Sequence, residues 1–176
     1  VFPGAGEIGD DRRLRSVNLF RLEASFDDTD PAGYGSGMAR FGPSIGADRL
    51  GGTVYELPPG TSICPYHYEY GDEEWLLVLD GTAAVRHPDG EDDLGPGDVV
   101  CFPAGPAGAH KVTNRTAATV RVLMLSTKGS VSVAVYPDSD KIGVFPDNPQ
   151  DRILVRRESA VGYWDGETGT AEPLER

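Results

Sequence analysis

The sequence predicts an all-β fold, a sandwich or barrel. Three observations carry that expectation. Between Gly51 and Ser126, apolar runs of strand length alternate closely with turn signals. No segment shows a long helical period. Glycine (23 residues) and proline (14) are plentiful, as short strands joined by tight turns require.

The elements follow in order. Val17–Leu22 is short and apolar enough for a strand, and Asp27–Gly37 is Gly- and Asp-rich, hence loop. Gly51–Leu57 reads as a strand ended by Pro58, Pro59 and Gly60. Ser62–Tyr70 and Glu74–Leu79 come next, with Gly81 as a turn. Thr82–His87 leads into the hairpin turn Pro88-Asp89-Gly90. Asp98–Phe102, Ala109–Thr113 and Thr119–Ser126 continue the series. Beyond Lys128 the pattern loosens, with short apolar pieces at Val131–Tyr136, Lys141–Phe145 and Ile153–Val155. The 176 residues therefore suit one domain. Residues 1–45 form an N-terminal arm with a strand, and 46–128 the barrel core. Residues 129–176 form a C-terminal extension that packs on the barrel or on a second subunit.

Charge narrows the partners. With 28 acidic against 16 basic residues, the formal net charge is −12. Such a surface repels phosphate backbones and offers no basic patch to an anionic membrane. No apolar run reaches the roughly 20 residues that cross a bilayer. Residues 1–16 lack the apolar core of a secretory signal. Cys64 and Cys101 do not make a disulfide framework, and a cytoplasmic protein with two thiols is the expectation. Cys101 lies in an apolar run and reads as a buried thiol.

Two of the three histidines fall between Gly60 and Asn114. In a strand, residues two apart share a face. His67 therefore shares a face with Glu69, and Tyr66, Tyr68 and Tyr70 share the other. On the next strand Glu74 is in phase with Leu76 and Val78, against Trp75, Leu77 and Leu79. If the Leu76 face is interior, Glu74 is a carboxylate among apolar side chains. That costs several kcal/mol unless the acid is paired, protonated or bound to a metal. A cation held by His67, Glu69, Glu74 and His110 would remove the cost. Imidazole with carboxylate suits Mn, Fe, Ni, Co or Zn without choosing among them. Glu73 should point away from Glu74 into solvent, and Asp72 reads as turn.

The two blocks, Gly60-TSICPYHYEYGDEEWLLVLD-Gly81 and Gly97-DVVCFPAGPAGAHKVT-Asn114, resemble the two motifs of the cupin family. The family's first motif is G-x5-H-x-H-x(3,4)-E-x6-G and its second is G-x5-P-x-G-x2-H-x3-N. The fit is specific at Glu74-x6-Gly81, Gly97-x5-Pro103-x-Gly105 and His110-x3-Asn114. The second block also resembles a group of single-domain bacterial cupins without an assigned reaction. The resemblance implies a double-stranded β-helix, or jelly-roll, barrel, often a homodimer, with a divalent metal in its mouth. His67 matches the first histidine of the pattern, Glu74 its glutamate and His110 its last histidine.

Three departures stand out. Six residues rather than five separate Gly60 from His67, and four rather than two separate Gly105 from His110. Glu69 stands where the family has its second histidine. Two histidines and two glutamates would neutralise a divalent cation, whereas three histidines and one glutamate leave one positive charge. The pattern leaves Glu69 two roles, ligand or hydrogen-bonding neighbour of the ligands. Without it, His67, Glu74 and His110 form the two-His-one-carboxylate set used by non-haem iron oxygenases.

The candidate metal ligands are thus His67, Glu69, Glu74 and His110, and the candidate catalytic acids are Glu69 and Glu74. The expected cofactor is a divalent transition metal such as Fe, Mn, Ni or Zn. The expected function is a metal-dependent enzyme, dioxygenase-like or isomerase-like, acting on a small polar molecule. The alternative is a non-enzymatic cupin that binds or senses a small molecule. A cation from Arg40, Arg49, Arg121 or Lys141 inside the barrel would point to a carboxylate or phosphate substrate.

Overall fold

The structure, a computed structural model, describes residues 14–169. The strands in chain order are β1 (Gly37–Arg40), β2 (Leu50–Leu57), β3 (Tyr68–Tyr70), β4 (Glu74–Asp80), β5 (Ala83–His87), β6 (Gly90–Leu94), β7 (Val99–Phe102), β8 (Lys111–Thr113), β9 (Val120–Thr127), β10 (Val131–Tyr136), β11 (Lys141–Pro146) and β12 (Ile153–Arg156). They form three antiparallel sheets: β1-β2-β9-β4-β7, β12-β11-β10-β3 and β6-β5-β8.

The period-two alternation places the core. Leu57 of β2, Leu76 and Val78 of β4, and Val120 and Val122 of β9 turn to one face of the five-stranded sheet. There they meet Ala83 and Val85 of β5 and Val112 of β8. Glu74 opens β4 in phase with Leu76 and Val78, which are 0% and 1% exposed, so its side chain starts on the interior face. The opposite face of the same sheet is also apolar. Val54, Leu77, Leu123 and Leu125 pack there against Val17, Leu19 and Leu22 of the N-terminal arm.

The arm covers that face without being a strand. Leu19–Arg21 is a short 3-10 turn rather than the expected strand over Val17–Leu22. Asn18 starts it by accepting from the Phe20 N–H (2.9 Å). The Arg121 guanidinium then donates to the carbonyls of Leu19, Phe20 and Leu22 at 3.0–3.3 Å. A side chain thus supplies the partners that a neighbouring strand would. β6 is a strand the sequence does not signal. It is a charged edge, Gly-Glu-Asp-Asp-Leu, held by pairing with β5, and edge strands of this kind resist further pairing.

Among the described residues, no sheet closes on itself. The expected strand over Ser62–Tyr70 is reduced to β3, with single bridges at Ser62 to Thr113 and His67 to His110. Pro65 lies between those bridges and has no N–H to donate, which breaks the ladder. The extension continues the fold: β10 pairs with β3 in the register Val133–Tyr70, Ala134–Glu69, Val135–Tyr68.

Asn114 locks the end of β8. It is fully buried, donates to the carbonyls of Leu57 (2.8 Å) and Ala118 (2.7 Å), and accepts from the Thr116 N–H (2.8 Å). Asn114→Ala would orphan the buried Leu57 carbonyl and remove the bonds to Ala118 and Thr116, and is expected to lower stability by about 2–3 kcal/mol. A fall in the urea midpoint with an unchanged slope checks this.

Candidate metal centre

The site is built on a reciprocal backbone contact. The His67 N–H donates to the His110 carbonyl (3.1 Å), and the His110 N–H donates to the His67 carbonyl (2.8 Å). The two imidazoles therefore lie side by side, with centroids 4.8 Å apart. Each ring is oriented by the carbonyl two residues before it. His67 Nδ1 is 3.0 Å from the Pro65 oxygen, and His110 Nδ1 is 2.9 Å from the Gly108 oxygen. A carbonyl only accepts, so each Nδ1 carries the proton and each Nε2 keeps a free lone pair, the arrangement of a metal-binding imidazole.

Packing holds the rings there. His110 stacks on Phe102 (centroids 3.8 Å, 8°) and His67 on Tyr136 of β10 (5.9 Å, 20°). Gly108 permits the tight turn before His110. A Cβ at that position would stand 1.9 Å from the Pro103 oxygen, so no side chain fits.

Glu74 completes the group from β4. Its Oε2 lies 3.4 Å from His110 Nε2 and 3.9 Å from His67 Nε2. One ligand atom from each of the three residues lies within 4.8 Å of the others. These contacts are not ion pairs in the metal-free protein. Burial pushes the Glu74 carboxyl up to about 8, helped by the charges of Glu69 and Asp72. Burial also lowers both imidazoles, His110 to about 4 with help from His67. Two neutral imidazoles with free lone pairs, facing an acid that burial forces to stay protonated, form a donor set that a divalent cation satisfies.

A cavity of about 220 Å³ opens at the group. Glu69 lines it but stands outside the three-residue set. Burial first, then the charge of Asp72, raises its carboxyl above the ordinary range. Glu73 is exposed and accepts from the Trp75 indole N–H (2.7 Å), facing away from Glu74 as the alternation requires.

Several residues of the site are not signalled by the sequence. Cys64 lines the cavity with Sγ 3.5 Å from His67 Nδ1, and burial pushes its thiol far up. Tyr55 also lines it, and burial raises its phenol to about 12. Asp72, read as turn, is buried, and its Oδ1 has no hydrogen-bond partner among the described residues. Cys101, expected to be buried, is exposed. It belongs to the edge strand β7, where Phe102 turns inward and Cys101 outward.

The family profile described as a cupin domain matches residues 53–126. The chain carries a cupin domain. Solved structures agree at the level of fold. The chain is similar to a sugar phosphate isomerase of the cupin superfamily from Silicibacter pomeroyi DSS-3 (24% identity, TM-score 0.72, covering 85% of this chain and 98% of that one). It is also similar to a provisionally assigned sugar phosphate isomerase from Acidithiobacillus ferrooxidans ATCC 23270 (23%, 0.71, 82% and 91%). A third likeness is to the polyketide cyclase RemF from Streptomyces resistomycificus (24%, 0.54, 65% and 80%). No match is found among curated proteins. The cupin domain thus holds a His/His/Glu group geometrically suited to a divalent transition metal. No helix among the described residues is long and apolar enough to cross a membrane.

Two predictions follow from this geometry. Metal analysis of protein purified without chelator should find bound metal, and His67→Ala or His110→Ala should each reduce it below about a tenth of an equivalent. The metal-free protein should also lose stability as pH rises from about 6.5 to 8. The two folded imidazoles are lowered and neutral in this window, and those of the unfolded chain, half-protonated at 6.5, become neutral as the pH rises, so their opposing contribution fades. Glu74, raised from the ordinary 4.5 to about 8, still holds its proton in the folded state, whereas the unfolded chain has already released it. Raising the pH through this window therefore favours unfolding. Urea titrations should show that slope, and Glu74→Gln should abolish it.

Proposed function

We propose that the protein is a divalent-metal-dependent enzyme of isomerase type, acting on a small polar molecule with a carbonyl beside a hydroxyl-bearing carbon. The position of Glu69 carries this reading. It lines the ligand cavity, is not part of the three-residue group, and has a carboxyl raised by burial. A carboxyl held next to the ligands but outside their set suits proton transfer. Two of the similar solved structures are described as sugar phosphate isomerases, which supports this reaction class.

His67, Glu74 and His110 would hold the metal, which supplies polarisation of the substrate oxygens. Ionised Glu69 removes the proton from the hydroxyl-bearing carbon. The released electron pair forms the double bond of an enediol, and Glu69 returns the proton to the neighbouring carbon while a second proton passes between the two oxygens. Tyr55, protonated across the physiological range, stays a hydrogen-bond donor in the cavity wall. Met38, Ile63 and Met124 line the rest and limit water.

The three-ligand set itself favours a second reading, a dioxygenase-like reaction, because it leaves coordination positions open. Were Glu69 to ligate as a fourth residue, the closed shell would fit a non-enzymatic binding protein. The wider architecture belongs to the same proposal. The three sheets are the walls of a jelly-roll barrel with core 46–128, arm 1–45 and extension 129–176. A homodimer covers Ile153, Leu154 and Val155 of β12, which are 54%, 54% and 41% exposed in the single chain.

Metal-loaded protein incubated with a panel of aldoses and ketoses in D2O should place deuterium on the carbon next to the carbonyl. Glu69→Gln should lower that exchange by about a hundredfold or more while retaining bound metal. Oxygen uptake with the iron form and no exchange would replace this reading with the oxygenase. Metal lost in Glu69→Gln would make Glu69 a ligand.

A further inference from the structure

A second cavity, of about 540 Å³, adjoins the ligand cavity, and the two share Met38, Ile63 and Cys64 as lining. Its size falls among small-molecule sites. Two tyrosine rings form part of its wall, and each has a cation on its far side. Tyr66 also lines the surface groove that holds Arg86, whose guanidinium lies 3.9 Å over the ring. Tyr34 also lines the groove that holds Lys111, with Nζ 5.2 Å from the ring centroid. Neither cation lines the cavity itself, so each ring stands between its cation and the cavity space.

Two hydroxyls of this lining are buried yet unmatched. Ser36 is 5% exposed and Tyr66 8%. Among the described residues neither hydroxyl has a hydrogen-bond partner, and neither oxygen is sealed within protein. A buried hydroxyl is normally paired, and these two are left to whatever occupies the space they line. The charged side chains add no net cation. Arg86 holds Asp138 in a two-point pair at 2.6 and 2.9 Å, which leaves Asp30 and Lys141, of opposite sign. Glu69 and Glu74 line the neighbouring cavity, and the chain carries a formal −12. An anion therefore finds no net attraction here. An uncharged molecule rich in hydroxyls finds donors, acceptors and two aromatic walls.

We propose that this outer cavity holds an uncharged, polyhydroxylated unit of the substrate, a sugar ring with no anionic group, with Ser36 and Tyr66 as its hydrogen-bonding contacts. The reacting end then lies beside Glu69 in the inner cavity, a placement that rests on the isomerase reading above. The C–H face of such a ring suits a tyrosine wall, and Arg86 behind Tyr66 holds that wall in place. A site built to bond a hydroxyl discriminates against a molecule that lacks it, because the protein group is then left unpaired. Binding away from the reacting carbons also orients them. Ser36 and Tyr66 are specificity residues in this scheme and take no part in proton transfer.

Ligand-observed NMR titration of the full chain with the methyl glycosides of glucose, galactose, mannose and xylose tests this. Their blocked carbonyl prevents isomerisation, so binding is read apart from the reaction. At least one should bind, with similar Kd in the metal-loaded and chelated protein. Ser36→Ala should weaken that glycoside about tenfold, as should Tyr66→Phe, which keeps the ring under Arg86. Tyr163→Phe, at an exposed position outside the cavity, should leave it unchanged. Inorganic phosphate should not displace it from chelated protein. Absence of binding by all four glycosides, an unchanged Kd in both Ser36→Ala and Tyr66→Phe, or displacement by phosphate would overturn the proposal. Glycoside binding that persists while no aldose or ketose exchanges deuterium would remove the isomerase reading alone.

Discussion

The site depends on two hydrogen bonds, His67 N–H to His110 C=O and the reverse. Everything chemical is downstream of them. They set the two imidazoles as neighbours, and the same local device then turns each ring: Nδ1 donates to the carbonyl two residues earlier, at Pro65 or at Gly108. The free nitrogens are thus aimed by backbone geometry before any ion arrives. Phe102 and Tyr136 prevent the rings from swinging away. A donor set oriented in this way loses little conformational freedom when it is filled.

Around that contact the fold accumulates acids where burial disfavours them. Beyond burial, the charges of Glu69 and Asp72 raise the proton affinity of Glu74, and that of Asp72 raises Glu69. In a metal-free protein this arrangement costs stability, since the low-dielectric surroundings cannot solvate the ionised forms. A structural role would be served as well by apolar side chains, whereas a cation makes the arrangement favourable. The grouping is therefore better explained by what the site binds than by what the fold needs.

Much of this is legible in the sequence, and the gaps have physical causes. The alternation Glu74, Leu76, Val78 places one acid inside, and both histidines and Glu69 reach the same cavity as their phase suggests. Cys64 escapes because Pro65 breaks the strand, and period-two reasoning does not extend across the break. Asp72 looks like turn because its burial comes from tertiary packing. Tyr136 enters only through the pairing of β10 with β3, a contact between distant segments that no local pattern announces. β6 lacks any apolar alternation and exists because β5 offers it a ladder. Cys101 is misplaced by reading an apolar run as fully buried, when an edge strand has an outward side.

The four-stranded sheet takes only β3 from the stretch that matches the cupin profile, and its other three strands follow residue 126. His67, Glu74 and His110 fall within that stretch, whereas Tyr136, whose ring stacks on His67, falls after it. The metal-suited group and the wall behind one of its imidazoles are therefore written in different parts of the chain. A substitution in the later strands can reshape the surroundings of His67 without altering the residues that offer donor atoms.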